Sequence, residues 1–343
     1  MNRRFKRRAV FRPTDFTARE NVLAARRSHR ILPPQMNRTG KIHALLATSR
    51  VANIPSVISN VWVGMAVGMS LALSANPTAP HALTFITLPL AGVLLYVGGN
   101  FLNDWMDRGW DAQHRPERAL PRGLFPAPLY LAVALTTCLA GIASASLTSP
   151  RSGMTAVGIA ISIVIYTFFH KRTPWAVIPM GLCRALLPVM GCLAFFPYID
   201  AIWPVSCGLL TYIMGLSLSA RYEAMAQPPA WVAPAGRAFL LGTVLLVAWG
   251  NRDIPLGRML HVAAALPYLA WTSLTLRFWN KPVPRLVSRL LAGIPLVDWM
   301  LLLPLGLALA RGGEIDGFII ACFLVPPLAF ISALLLQKLA PAT

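Results

Sequence analysis

Charge is what this chain has least of: only 13% of its 343 residues are Asp, Glu, Lys or Arg, and the acids number 12. Beside 56% hydrophobic residues and a mean hydropathy of +0.59, so little charge excludes an ordinary soluble domain, whose surface takes about a quarter charged residues. The five cysteines (Cys138, Cys183, Cys192, Cys207, Cys322) stand singly in apolar runs with no CxxC pair. That excludes a disulfide framework and a thiolate zinc site. The six histidines are scattered, and among them His114 and His170 have charged neighbours in sequence.

What the chain does have is long apolar runs. They recur at 51–73, 82–102, 126–148, 153–169, 174–196, 202–220, 236–250, 257–276, 291–310 and 316–337, each near the roughly 20 residues that a spanning helix needs. The expected fold is all-α, a polytopic transmembrane bundle of nine or ten helices, the fourth and seventh runs being the shortest. Runs of this length exclude a membrane β-barrel. The net charge of +19 suits either nucleic acid or membrane topology, and its distribution decides against nucleic acid. With the N-terminus inside, 26 of the 31 Lys and Arg fall on the cytoplasmic side, four (Arg151, Arg252, Arg258, Arg311) fall opposite, and Arg184 lies in a span. An even helix count with both termini inside preserves this alternation. Trp105, Trp110, Trp175, Trp231 and Trp279 lie near the expected cytoplasmic ends, as an aromatic belt does.

Residues 1–50 carry thirteen Lys or Arg against Asp15 and Glu20, too little apolar surface to fold alone. Residues 1–44 are therefore expected as a basic, mostly disordered cytoplasmic arm attracted to anionic headgroups, and 45–343 as one membrane domain. An organellar transit peptide, or a true start at Met36, are the alternatives for the arm.

One segment runs against this composition. Residues 100–123, NFLNDWMDRGWDAQHRPERALPRG, hold a third of the chain's acids against the end of an apolar run. On a helix, Asn103, Asp107 and Asp111 are spaced i, i+4, i+8 and share a face, with Asp104 one step around. Like charges so placed repel, the more so at a low-dielectric edge. Either they are solvated acids paired with Arg108, Arg115, Arg118 and Arg122, or a cation sits among them. Oxygen ligands alone favour Mg²⁺, held by one or two carboxylates and completed by water and phosphate oxygens. Arginines presenting planar forks of donors complete a diphosphate site facing the cytoplasm.

NDWMDRGWD (103–111) resembles the NDxxDxxxD motif of the UbiA superfamily of intramembrane prenyltransferases, and RPERALPRG (115–123) its RPxRxxxxG continuation. Arg50 before the first span, YTFFHKR (166–172) after the fourth, and the helical layout extend the likeness over roughly residues 45–343. The resemblance implies Mg²⁺-dependent transfer of an isoprenyl group from a prenyl diphosphate to an aromatic or other small acceptor. Asn103, Asp104, Asp107, Asp111 and Glu223 are its implied metal ligands. Arg50, Arg118, Arg122, Lys171, Arg172 and Arg221 are its diphosphate partners, and Asp107, Asp111, Glu223 and Arg184 its catalytic groups. Membrane lipid is the surrounding partner, in a bacterial inner membrane. Two departures stand out. The family's second motif, DxxxD after the sixth span, is replaced by SLSARYEAMAQ (217–227), where Glu223 is the only acid. The Tyr-to-Lys interval in YTFFHK is one residue longer than usual and puts His170 where a lysine is expected. The reduced second motif leaves open a carrier or binding protein for an isoprenoid or lipid phosphate; a CDP-alcohol phosphotransferase fails on its DG…AR signature.

Charge inside the spans is costly and so requires a partner or a wet cavity. Arg184 reads as a contact for a substrate anion or as the partner of a buried group such as Asp298 or a carbonyl; Asp298 reads as paired. Asn53 and Asn60 either line the same cavity or tie helices together. The Gly and Pro of GMAVG (64–68), LLPVMG (186–191) and FLVPP (323–327) point to close packing and kinks.

Overall fold

The computed structural model describes residues 38–75, 82–222, 229–277, 284–312 and 315–340; the arm up to residue 37, Glu223 and Trp279 lie outside them, as does the side chain of Arg221. Hydrocarbon offers the backbone no partners, so each apolar run closes its hydrogen bonds on itself. The helices are α1 (Arg38–Thr48), α2 (Ile54–Ala75), α3 (Thr84–His114), α4 (Ala127–Thr148), α5 (Pro150–Phe169), α6 (Val177–Cys192), α7 (Trp203–Arg221), α8 (Val232–Gly250), α9 (Arg258–Leu276), α10 (Pro284–Gly312) and α11 (Gly317–Leu339). Among the described residues ten of them, α2 to α11, are long and apolar enough to cross a membrane, the upper of the two expected counts. The protein is an integral membrane protein.

Three boundaries stand out against the expectation. α3 runs 31 residues, well past the end of its apolar run at residue 102, because its polar last turns are docked on neighbouring segments. It stops at Arg115 (φ −139°), whose successor Pro116 disfavours a helical residue before it. α10 starts at Pro284, before its apolar run at 291. The last part of the basic arm is helical: α1 covers Arg38–Thr48 and crosses the boundary expected at 44/45.

Successive helices pack side by side, and α11 returns against α2 to close the ring. α2 and α10 are its most buried members. Their apolar windows are 67% and 72% buried, whereas that of α4 is 17% buried and presents its leucines to lipid. One core cluster joins α2 to α3, α5 and α6 through Val57, Val61, Leu95, Ile159 and Met190. A second joins the other face of α2 to α7, α8 and α10 through Val63, Leu209, Tyr212, Leu240, Leu290 and Val297.

Apolar helices gain little from hiding apolar surface from equally apolar lipid, so packing depends on close backbone approach. α2 and α6 achieve this through glycines. A Cβ on Gly64 would fall on the backbone of Pro188, and one on Gly191 would fall on the backbone of Val61. Backbone cannot yield as a side chain can, so Gly64→Leu should lower stability by about 3 kcal/mol or more. Thermal unfolding in detergent checks this, with Gly242→Leu, where a Cβ meets nothing within 4 Å, as the neutral control.

Candidate active site

α3 advances about 100° per residue, so Asn103, Asp107 and Asp111 drift by roughly 40° a step, and Asp104 falls within about 20° of Asp111. Asp104 is thus Asp111's neighbour, seven residues away, rather than Asn103's. All four side chains are buried, Asp111 to 2% exposure. Arg118 spans the Asp104–Asp111 pair: its Nη1 donates to Asp104 Oδ1 at 3.2 Å and to Asp111 Oδ2 at 2.8 Å. It reaches them because the chain turns back after His114; further along the same loop Gly123 (φ +67°) takes a left-handed conformation that side chains disfavour.

Asp107 is served from α5. Lys171 Nζ lies 2.8 Å from its Oδ1 and His170 Nε2 3.1 Å from its Oδ2, while Asn103 Nδ2 donates to Oδ2 at 3.3 Å. α5 ends at Phe169, so both residues stand in the turn and both reach the carboxylate. The extra residue in the Tyr-to-Lys interval therefore adds a second donor on Asp107 and displaces none. Lys171 Nζ also sits 4.0 Å from the Trp110 ring centroid, and the Tyr166 ring stacks on His170 at 5.0 Å.

Arg50 joins α1 to α2 with φ 47°, the only non-glycine positive φ among the described residues. That conformation costs about 1–3 kcal/mol and persists only where its surroundings impose it. Here Asn100 Nδ2 donates to Ser49 O at 3.2 Å and Tyr96 Oη to Arg50 O at 3.4 Å, pinning the corner to α3. Burial opposes charge on the guanidinium, but Asp104, then Tyr96, Tyr166 and Asp107, more than offset it, and its pKa stands above the ordinary arginine value. Tyr96 and Asn100 escaped the sequence analysis; an asparagine inside an apolar span was the available signal.

The other expected partners are spread more widely. Arg122 and Arg172 are exposed. Arg108 turns away and donates to Trp105 O at 2.7 Å. Arg184 is deeper: its Nη1 donates to Ser56 Oγ at 3.0 Å and Asn60 Oδ1 at 3.1 Å, and its guanidinium faces the Tyr96 ring at 5.2 Å. Asn60 in turn donates to both oxygens of Asp298, at 3.1 and 2.9 Å, and Ser59 donates to Oδ2 at 2.6 Å. An amide is both donor and acceptor, so Asn60 ties cation to anion across α2, α6 and α10, the arrangement of the paired alternative.

Among the described residues no three His, Cys, Asp or Glu side chains are grouped as a closed metal cage. Mg²⁺ does not require one, since it takes one or two carboxylates and fills its sphere with water and substrate phosphate. The donor set fits on a further observation: Asn103 Oδ1 and Asp111 Oδ1 are buried with no hydrogen-bond partner among the described residues, a state that buried acceptors rarely keep.

The structure is a helical membrane bundle with buried carboxylates and basic donors gathered at one end of a span. The UbiA prenyltransferase family model matches residues 61–303, and the chain belongs to that family. It is 31% identical over 114 residues to a digeranylgeranylglyceryl phosphate synthase of Methanococcoides burtonii, covering 33% of this chain and 41% of that one. Against a protoheme IX farnesyltransferase of Cenarchaeum symbiosum it is 32% identical over 114 residues, 32% of this chain and 38% of that one. The matches thus span about two fifths of the relatives' length. A UbiA homologue from Aeropyrum pernix K1, solved in its apo form, shares the fold at a TM-score of 0.57 and 16% identity, over 75% of this chain and 97% of that one.

Two measurements follow from these contacts. Removing one partner of a buried charge pair leaves the other uncompensated, at about 3–5 kcal/mol, so Asp298→Leu should unfold early. The double variant Arg184→Met/Asp298→Leu should regain most of that loss in a thermal melt. Arg118→Ala should lower affinity for inorganic diphosphate about ten-fold or more, through loss of charge-assisted hydrogen bonds. The same variant should raise Mn²⁺ affinity in the donor-free protein, because Asp104 and Asp111 lose their competitor; calorimetry reads both.

Proposed function

We propose that this protein is a Mg²⁺-dependent prenyltransferase that moves an isoprenyl group from a prenyl diphosphate to a nucleophilic acceptor. The observation that carries the reading is the burial of Asn103, Asp104, Asp107 and Asp111 on one face of α3, with Arg118, Lys171 and His170 on the carboxylates. Burying so many carboxylates is expensive unless they are paired. Bridging by basic groups is the pairing open to the protein without donor. When a diphosphate arrives, the same basic groups become its donors, and Asp107 and Asp111 are released.

Mg²⁺, held by Asn103, Asp107 and Asp111, would supply neutralisation of the charge growing on the departing diphosphate. Lys171, Arg118 and His170 add fixed donors to the same oxygens. Arg50, held by its strained backbone beside Asp104, carries a permanent positive charge at the rim. Tyr166, whose ring is anchored on His170, presents an aromatic surface suited to the allylic carbon as it turns cation-like. Bundle walls limit the water that would quench it. Arg122, Arg172 and Arg221 stand as further phosphate partners, and Glu223 as the remaining acid of the second motif. The arginine-rich side, with the site and both termini, faces the cytoplasm.

The relatives' names join prenyl transfer to acceptors as different as a glyceryl phosphate and protoheme, so family membership leaves the acceptor open. Asp107→Ala and Asp111→Ala should each abolish diphosphate release from geranylgeranyl diphosphate while leaving the thermal melt in place. Release undiminished in both variants under EDTA refutes the mechanism, and donor binding with no release in the wild type identifies a carrier.

A further inference from the structure

Thr167 stands on the last turn of α5, just before the two residues that serve Asp107, and the mechanism above does not use it. The residue is 4% exposed, yet its Oγ1 has no hydrogen-bond partner among the described residues. A threonine inside a helix ordinarily satisfies its hydroxyl on the carbonyl three or four residues back. Others on α5 do so: Thr155 Oγ1 donates to Arg151 O at 2.9 Å, and Ser162 Oγ donates to Gly158 O at 2.9 Å. Thr167 forgoes that bond. A sealed hydroxyl without a partner lowers stability, so a side chain that declines the nearest acceptor requires a reason outside its own helix.

The register of α5 along α3 shows what lies opposite. Both helices run toward the end of the bundle that holds the carboxylates. Ala156, Ile159 and Ile163 pack in one cluster with Leu88, Ala91 and Leu95, and a Cβ on Gly99 would meet the Ile163 side chain at 3.2 Å. Two turns further along, Asp107 meets Lys171 and His170. Asn103 and Thr167 each stand about one turn on from the first contact, so the two are level on the shared interface. Asn103 is buried as well, with Nδ2 engaged by Asp107 and Oδ1 left without a partner. One orphaned oxygen from each helix is thus held at the deep edge of the carboxylate cluster. His170 Nδ1 lies 3.1 Å from the Thr167 carbonyl, so the residue that presents this hydroxyl also anchors the ring that reaches Asp107.

An amide oxygen only accepts hydrogen bonds, and a hydroxyl offers one proton beside two lone pairs. A guest that satisfies both must therefore bring positive charge or donors. Hydrated Mg²⁺ brings both, because it takes one or two protein oxygens and keeps several waters whose protons point outward. We propose that Thr167 is a further residue of the metal site: Asn103 Oδ1 ligates the ion, and Thr167 Oγ1 accepts a hydrogen bond from one of the waters that complete its coordination. This rests on reading Asn103, Asp107 and Asp111 as the Mg²⁺ donors. Thr167 is a positioning residue, acting on the ion through water and touching neither the diphosphate nor the allylic carbon. Its unpaired hydroxyl in the metal-free protein is a local loss of stability tolerated for the sake of the site.

The test reads metal binding and needs no turnover. Mn²⁺ stands in for Mg²⁺, and electron paramagnetic resonance measures the free ion over full-length protein in nanodiscs with inorganic diphosphate present. Thr167→Val keeps the shape and removes the hydroxyl; it should weaken Mn²⁺ binding about five-fold or more. The same variant should melt at a higher temperature than wild type when metal-free, since it no longer buries an unpaired hydroxyl. Thr167→Ser returns the oxygen and should restore the Mn²⁺ affinity. Ser162→Ala removes a buried hydroxyl that its own helix already satisfies, and should leave Mn²⁺ affinity unchanged. Equal Mn²⁺ binding by wild type and Thr167→Val overturns the proposal, as does failure of Thr167→Ser to restore it. A lower melting temperature in Thr167→Val overturns it too, because the hydroxyl would then be paired within the protein. A wild type that binds no Mn²⁺ refutes the metal reading itself, an outcome distinct from equal binding by wild type and variant.

Discussion

Three carboxylates confined to two turns of one helix, at the margin of a low-dielectric bundle, set the terms for everything around them. Alone they would repel one another and resist burial. They stay buried because basic groups arrive from three other parts of the chain: Arg118 from the loop after α3, Lys171 and His170 from the turn after α5, and Arg50 from the corner before α2. Each of those segments is shaped by that meeting. The loop doubles back after His114, α3 continues as helix into polar sequence, and Arg50 accepts a backbone conformation that side chains avoid.

The bundle holds a second polar layer, and the contrast between the two explains their different uses. Around Asn60, charge is closed within protein: Arg184, Ser56, Ser59 and Asp298 satisfy one another, with Asp298 wholly buried. Such a network holds helices in register and has little reason to exchange partners. At the end of α3 the pairing is incomplete, with acceptor oxygens of Asn103 and Asp111 left over. Leftover acceptors leave room for a ligand to complete the pairing, whereas complete pairing makes a tie. Tyr96 touches both layers, receiving the Arg184 guanidinium on its ring and donating to the Arg50 carbonyl.

Much of this was legible in the primary structure. Apolar runs near 20 residues specify spanning helices because hydrocarbon leaves the backbone no alternative, and the NDWMDRGWD spacing places its oxygens on one face of any helix it forms. The small residues of GMAVG and LLPVMG are where α2 and α6 meet. Partner choice was less legible. Arg108 and Arg118 look equivalent in sequence, yet one turns to a carbonyl and the other bridges two acids. The longer YTFFHK interval puts His170 where a lysine is expected, yet His170 and Lys171 both reach Asp107, because both fall in a turn that no helical periodicity governs.

Local order, then, was written in the amino-acid sequence: which segments are helical, which cross, which face of α3 carries oxygen, and to which family the pattern belongs. Those properties follow from side-chain periodicity and from the solvent each run requires, and both are countable along the chain. Tertiary structure alone decided the pairing of Asp104 with Asp111, the convergence of Arg50, Arg118 and Lys171 from separate segments, and the closure of Arg184 onto Asn60. Such facts depend on distances between residues far apart in sequence, and only the packing of the ring fixes those.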